Sequence, residues 1–264
     1  ILSRTRATAF LTMMLVPAAM FAMFFFLSLF VQNVMGFTPL RTGVAFLPFS
    51  FGIVIAATTA SKLMSKVDPR WIAGTGTAMA GLALFMFSRL SVDDSPANLV
   101  KVASSGGAHL GASVSYWTSL FPFIVLMALG MGLTFVPMTL SALHGVAARD
   151  SGIGSGVLNT MQQVGGALGL ATLATVAVHF TQLRAGHLAA GVQQAAASGG
   201  RPSPELMARL HTVVGQGAFS DGATHAFLTG AFMIWTGSLI VWIFLNVSHE
   251  HLGTNEVPEG VAAV

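Results

Sequence analysis

Six long apolar stretches carry none of the nine carboxylates in this chain. They run over Thr8–Val31, Gly43–Leu63, Trp71–Leu90, Trp117–Leu143, Gly152–Phe180 and Phe227–Val247. Asp68, Asp93, Asp94, Asp150, Glu205, Asp221, Glu250, Glu256 and Glu259 all fall between or beyond them. About 20 apolar residues are needed for a helix to cross the hydrocarbon core. A charge at mid-bilayer costs about 2.5–3.5 kcal/mol on insertion scales, so this partition is what membrane spans require. The expected fold is all-α: a six-span transmembrane bundle over residues 1–252 with a tail at 253–264.

Composition closes the soluble alternative. Only 8% of the residues are charged, 54% are apolar, and 20 phenylalanines stand against one tyrosine. Soluble domains carry about 25% charge, so this chain cannot cover itself with a water-facing surface. Polar stripes that would mark soluble helices are almost absent. The twelve basic residues are scattered, without a run and without aromatic interleaving, which argues against nucleic-acid binding. There are no cysteines, which excludes disulfides and thiolate chemistry.

Orientation follows from where the basic residues are densest. Lys62, Lys66 and Arg70 crowd a tight loop, Arg4 and Arg6 precede the first span, and Arg149 lies in another short loop. Placing these in the cytoplasm obeys the positive-inside rule and leaves both ends cytoplasmic. Residues 91–116 and 182–224 are then extracytoplasmic loops. Their "SSGGAHLGAS" and "AAASGGRPSPELMARL" read as flexible connection, with a short helix near Pro204–His211. The chain opens Ile1-Leu2-Ser3-Arg4 with no signal peptide before the first span, and is expected to be the C-terminal part of a longer protein.

The fifth stretch holds "SGVLNTMQQVGGALGLA", Ser155–Ala171. Asn159, Gln162, Gln163 and Gly166 follow i, i+3, i+4, i+7 spacing and share one helix face, extended by Ser155 and Gly169. Amides facing lipid would lack partners, so this face is expected to look inward. Gly152 with Gly156, and Gly165 with Gly169, are two small-xxx-small pairs that let a neighbouring backbone approach. The amides serve either as interhelical glue or as the lining of a polar cavity. In the fourth stretch Pro137 is expected to loosen the helix, with Gly130 and Gly132 adding close packing or a hinge. Gln32 and Asn33 read as interfacial polar residues at a helix end. The basic loop "SKLMSKVDPRW" offers Asp68 as a partner for Lys66 or Arg70.

Catalytic signatures are missing: no HExxH, no GxSxG, no glycine-rich phosphate loop and no intramembrane carboxylate pair. His249-Glu250-His251 are neighbours on a tail, too weak a pattern for a metal site. No cofactor, metal or catalytic residue is expected, and the chain is read as a non-enzyme.

Taken together, "SGVLNTMQQVGGALGLA", the preceding "ALGMGLTFVPMT" and the loop "HGVAARDSGIG" resemble the fourteen-span drug:proton antiporter family of the major facilitator superfamily. So does "FFFLSLFVQNVMGFTPLRTGVAFLPFSFGIVIAATTASKLMSKVDPRWI", with its long helix, proline turn and basic loop. The loop is similar to a degenerate copy of the superfamily's short inter-helix motif, with Ser61, Ser65 and Asp68 where glycine, aspartate and glycine are usual. The resemblance implies one six-helix bundle, the C-terminal half, around a midplane cavity shared with an N-terminal bundle. It implies proton-driven export of amphipathic small molecules by alternating access across a bacterial plasma membrane. The partners expected are the substrate, the lipid bilayer and the N-terminal bundle, which would also hold the coupling carboxylate. Asn159, Gln162 and Gln163 are the candidates for the pathway or the bundle interface. Rival readings are a metabolite transporter of the same superfamily and a non-transporting membrane scaffold or sensor.

Overall fold

The structure, a computed structural model, describes residues 4–106, 109–143, 146, 148–197 and 203–245. Their regular secondary structure is helical, without strands among the described residues. Helix α1 spans Arg4–Leu29 and passes directly into a π-helical turn at Phe30–Val34. Then come α2 (Pro39–Ala45), α3 (Leu47–Leu63), α4 (Pro69–Phe87), α5 (Pro96–Ser104), α6 (Tyr116–Ser119) and α7 (Phe121–Leu143). A 3₁₀ turn at Ala148–Asp150 leads into α8 (Ser151–Ala197), and α9 (Pro204–Phe244) closes the bundle.

Local sequence sets these boundaries. Thr38 caps α2 by accepting from the Arg41 N–H at 3.3 Å, with Pro39 at the first helical position. Pro69 opens α4 in the same way, and Ser203 caps α9 by accepting from the Leu206 N–H at 3.2 Å. Helix α7 continues unbroken through Pro137, which is buried. The expected loosening there does not end the helix.

Helices α1, α4, α7 and α9 pack as a four-helix core, with α1 against α7 and α9, and α4 against α7 and α9. Its centre is aromatic and sulfur-rich: Phe30, Phe87, Phe227, Met23, Met127 and Met131 are all buried. Phe87 meets Phe227 at 5.6 Å and, edge-on, Phe123 at 5.9 Å. Helix α3 attaches to this core through α7, and α8 attaches through α1 and α9.

Five helical stretches are long and apolar enough to cross a membrane by length and composition: Ala7–Val34, Pro39–Leu63, Tyr116–Leu143, Ser151–Gln194 and Pro204–Phe244. The remaining expected span, α4, is a 19-residue helix. It carries Arg70 in its first turn, with Gly74, Thr75, Gly76, Thr77 and Gly81 further along.

One expectation is overturned. Residues 182–224 are largely helix rather than flexible connection. At about 1.5 Å per residue, the 47 residues of α8 and 41 of α9 reach roughly 70 and 60 Å, twice the hydrocarbon thickness. Their outer halves form a helical pair with its own core of Leu188, Val192, Leu210 and Val213, completed by Leu99 and Ala103 of α5. Alanine, read there as a flexibility signal, is the strongest helix former. A two-pronged Arg184–Asp94 ion pair, both bonds 2.8 Å, ties α8 to the start of α5. Residues 91–116 likewise include a helix, α5.

Candidate functional site

The amide stripe of α8 divides in the structure. Gln162 is half-buried at the α1–α8 seam, its Nε2 donating to the Met13 sulfur at 3.4 Å. Asn159 and Gln163 are exposed. Neither side-chain amide has a hydrogen-bond partner among the described residues.

The glycines divide in the same way. Gly165, Gly166 and Gly169 form the α1-facing groove: a Cβ on them would run into the Met14 carbonyl, the Phe21 ring and Ala18 respectively. Gly152 and Gly156 have nothing within 4 Å of where a Cβ would stand. On α7, Gly130 lies against the α4 backbone, 2.6 Å from its absent Cβ to the Gly76 carbonyl oxygen. Gly132 lies against α3 at Ile53 and Ala57. These two positions therefore serve close packing within the bundle.

The uncovered arc of α8 carries two neighbouring stripes. Gly152, Gly156, Asn159 and Gln163 follow i, i+4, i+7, i+11 and adjoin the α1-facing side. Ile153, Val157, Val164 and Leu168 form the second stripe, further round, and all are exposed. Beside the first stripe, α1 adds Phe21 and Phe25, 40% and 46% exposed. Sequence spacing within α8 pointed to the amides but not to these phenylalanines, whose signal was only the aromatic run of α1. The membrane-compatible stretches Pro39–Leu63 (α2 with α3) and Ser151–Gln194 are 22% and 28% buried, against 56% for Ala7–Val34.

Exposed hydroxyls behave differently from the exposed amides. Thr58, Thr59, Thr160, Thr172, Thr175 and Thr236 each donate to the carbonyl four residues back, at 2.8–2.9 Å. They are satisfied within their own helix and compatible with lipid. An amide on Asn159 or Gln163 has no such partner and needs one from outside the bundle.

At the opposite end from α5, the basic turn is ordered. Ser65 donates to the Lys62 carbonyl at 2.8 Å, and Asp68 is the N-cap residue of α4. The Arg70 guanidinium lies 5.5 Å from the Trp71 ring centroid, a cation–π contact. Lys62 and Lys66 are exposed. His249, Glu250 and His251 lie outside the described residues. Among the described residues no group of three metal-ligating side chains gathers.

Long helices that are apolar on their outer faces, with an exposed stripe of amides and glycines on α8, define a polytopic membrane bundle of the transporter type. Its affiliation follows from sequence. The Major Facilitator Superfamily model matches residues 1–170, and the chain belongs to that superfamily. It is similar to drug-resistance and export members. It is 31% identical to the puromycin resistance protein pur8 of Streptomyces alboniger, over 67% of this chain and 32% of that protein. It is also 30% identical to the uncharacterized MFS-type transporter EfpA of Mycobacterium tuberculosis, whose name specifies no substrate, over 66% and 29%. It is 31% identical to the cephamycin export protein CmcT of Amycolatopsis lactamdurans, over 63% and 30%. The matched part of the chain spans about a third of the length of these relatives.

Proposed function

We propose that this chain is one six-helix bundle, the C-terminal half, of a secondary transporter that exports amphipathic small molecules across a bacterial plasma membrane. Export would be driven by proton antiport through alternating access. Helix α4 serves as the sixth span, and a second bundle seats on the uncovered faces of α1, α3 and α8. Relatives whose names specify puromycin resistance and cephamycin export support the substrate class. The coupling carboxylate lies in the other bundle, since Asp and Glu are absent from the inward face of α8 and from α1, α3 and α7 among the described residues.

The observation that carries this reading is the stripe of Gly152, Gly156, Asn159 and Gln163. Small residues allow a second helix to approach, and the amides require hydrogen-bond partners that this bundle does not supply. The stripe thereby forms a sliding contact beside a cavity wall of Phe21 and Phe25. The test is efflux of a fluorescent amphipathic cation from cells making the full-length protein. Asn159→Leu and Gln163→Leu together should cut efflux by about tenfold or more, as loss of roughly 1.4 kcal/mol or more of contact implies. Undiminished efflux would remove the pathway role.

A further inference from the structure

Where α1 leaves the bundle, a cleft of about 540 Å³ opens beneath the outer half of α9. Gln32, Asn33, His109, Thr212, Gln216 and Phe219 line it. Several devices converge on it. The π-turn at Phe30–Val34 inserts an extra residue into the winding, closing with Met35 N–H to the Phe30 carbonyl at 3.1 Å. Such turns commonly redirect side chains at sites of function. Gln32 donates from Nε2 to the Ser28 hydroxyl at 2.8 Å, which leaves Oε1 as its acceptor. Asn33 is exposed and carries both donor and acceptor.

His109 is held firmly. Its ring sits over Gly36, whose φ of +77° and missing Cβ make room for it. Its Nδ1 meets the Asn33 carbonyl at 3.2 Å. A carbonyl only accepts, so Nδ1 carries the hydrogen, and Nε2 is the ring nitrogen turned toward a ligand. Buried Gln216 accepts from the Leu110 N–H at 2.8 Å, fixing the far wall. Phe219 adds a partly buried aromatic surface.

Among the described residues no Asp, Glu, Lys or Arg lines this cleft. It combines neutral donors and acceptors with one aromatic ring, in a volume that suits a small ligand. A charged ligand finds no counter-charge there. Vicinal hydroxyls match amides that both donate and accept, and the C–H face of a pyranose packs on an aromatic ring. We propose that the cleft binds an uncharged polyhydroxylated group, a sugar ring either free or carried as a glycolipid headgroup. This inference does not rest on the export reading and survives its failure.

The experiment uses the full-length protein in phosphatidylcholine nanodiscs and saturation-transfer NMR with methyl β-maltoside. Tetraethylammonium and benzoate serve as charged controls. The wild type should transfer saturation to the maltoside. Asn33→Leu and Phe219→Leu, with thermal midpoints unchanged, should reduce it by about fivefold, as loss of one hydrogen-bonding or stacking partner implies. Should Phe219→Leu fail to fold, Thr212→Val carries the same readout. Nanodiscs doped with monoglucosyl-diacylglycerol separate the sources: competition with the maltoside supports a headgroup, and its absence supports a free sugar. The proposal is overturned if the wild type gives no maltoside signal, if the variants match the wild type, or if a charged control gives the stronger Asn33-dependent signal.

Discussion

Substituting Gly169 and Gly156 in turn separates a contact inside the bundle from one made outside it. A Cβ on Gly169 would overlap Ala18, with the Ala18 Cα at 2.8 Å. That is about 1 Å short of comfortable carbon–carbon contact. Neither obstacle is the tip of a flexible side chain, so α1 and α8 must move apart. Overpacking of this kind costs about 1–3 kcal/mol, and the gain in helix propensity returns at most about 1 kcal/mol. Gly169→Ala should therefore lose about 0–2 kcal/mol of seam stability, and Gly169→Leu more. Gly156 has nothing within 4 Å, so within this chain only the propensity gain remains. Hydrogen exchange by mass spectrometry on the full-length protein, beside efflux, reads both. Gly169→Leu should speed exchange in α1 and α8 together. Gly156→Leu should leave α1 exchange unchanged yet lower efflux at least about fivefold, by blocking a helix that docks there. If Gly156→Leu exports normally, its stripe faces lipid and the docking argument is wrong. If Gly169→Leu leaves exchange unchanged, the α1–α8 seam is not as described.

Removing the Arg184–Asp94 pair by Arg184→Met should loosen the outer helical pair by about 1–2 kcal/mol, between the exposed and buried limits for ion pairs. Faster exchange confined to 182–197, 204–224 and α5 would bear this out. Gly36→Ala forces a side chain into a left-handed backbone conformation and into the His109 ring, and should cost about 1–3 kcal/mol locally. A lowered thermal midpoint with faster exchange around Val34–Gly111 would report it. Asp93 is held below its ordinary 3.8, first by the Ser95 hydroxyl and then by the Ser95 N–H. A depressed folded pKa contributes stability above 3.8 that is lost as pH falls through the folded value. The turn at Asp93–Ser95 should thus fray only below about pH 4, seen as faster exchange at Ser95 in a pH titration, and unchanged protection to pH 2 would contradict it.

Five helical stretches long and apolar enough to cross a membrane were legible because burying charge in hydrocarbon is so costly that composition alone marks them. Three helices start earlier than the apolar stretches: α2, α4 and α9 begin at Pro39, Pro69 and Pro204, where Thr38, the prolines and Ser203 carry capping or helix-initiating chemistry. The outer helical pair was hidden because Ala, Gly and Ser have two meanings, and only partners brought from α5 decide between them. Leu188, Val192, Leu210 and Val213 share a core that no local window displays. Helical spacing placed Asn159, Gln162 and Gln163 on one broad face but could not divide it. The division depends on Met13 of α1, far away in sequence, which engages Gln162 and leaves the other two outside. The cleft at Gln32 was equally hidden. A π-turn has no sequence signature, and His109 reaches Gly36 across a long separation.

Energetics decides what the open stripe of α8 can face. An amide left in hydrocarbon without a partner costs about 4–8 kcal/mol on alkane transfer scales. Asn159 and Gln163 together would then cost about 8–16 kcal/mol, as much as the roughly 5–15 kcal/mol by which a whole domain is stable. Snorkelling relieves such costs near a helix end, yet Gln163 sits three turns into α8, on a helix whose next exposed stripe is Val157, Val164 and Leu168. The threonines on the same helix avoid the cost by bonding to their own backbone. Two amides that do not, beside two glycines that touch nothing, are stable in a membrane only where protein or water covers them. That requirement, rather than any likeness to relatives, is what supports the proposal that a second bundle covers this face.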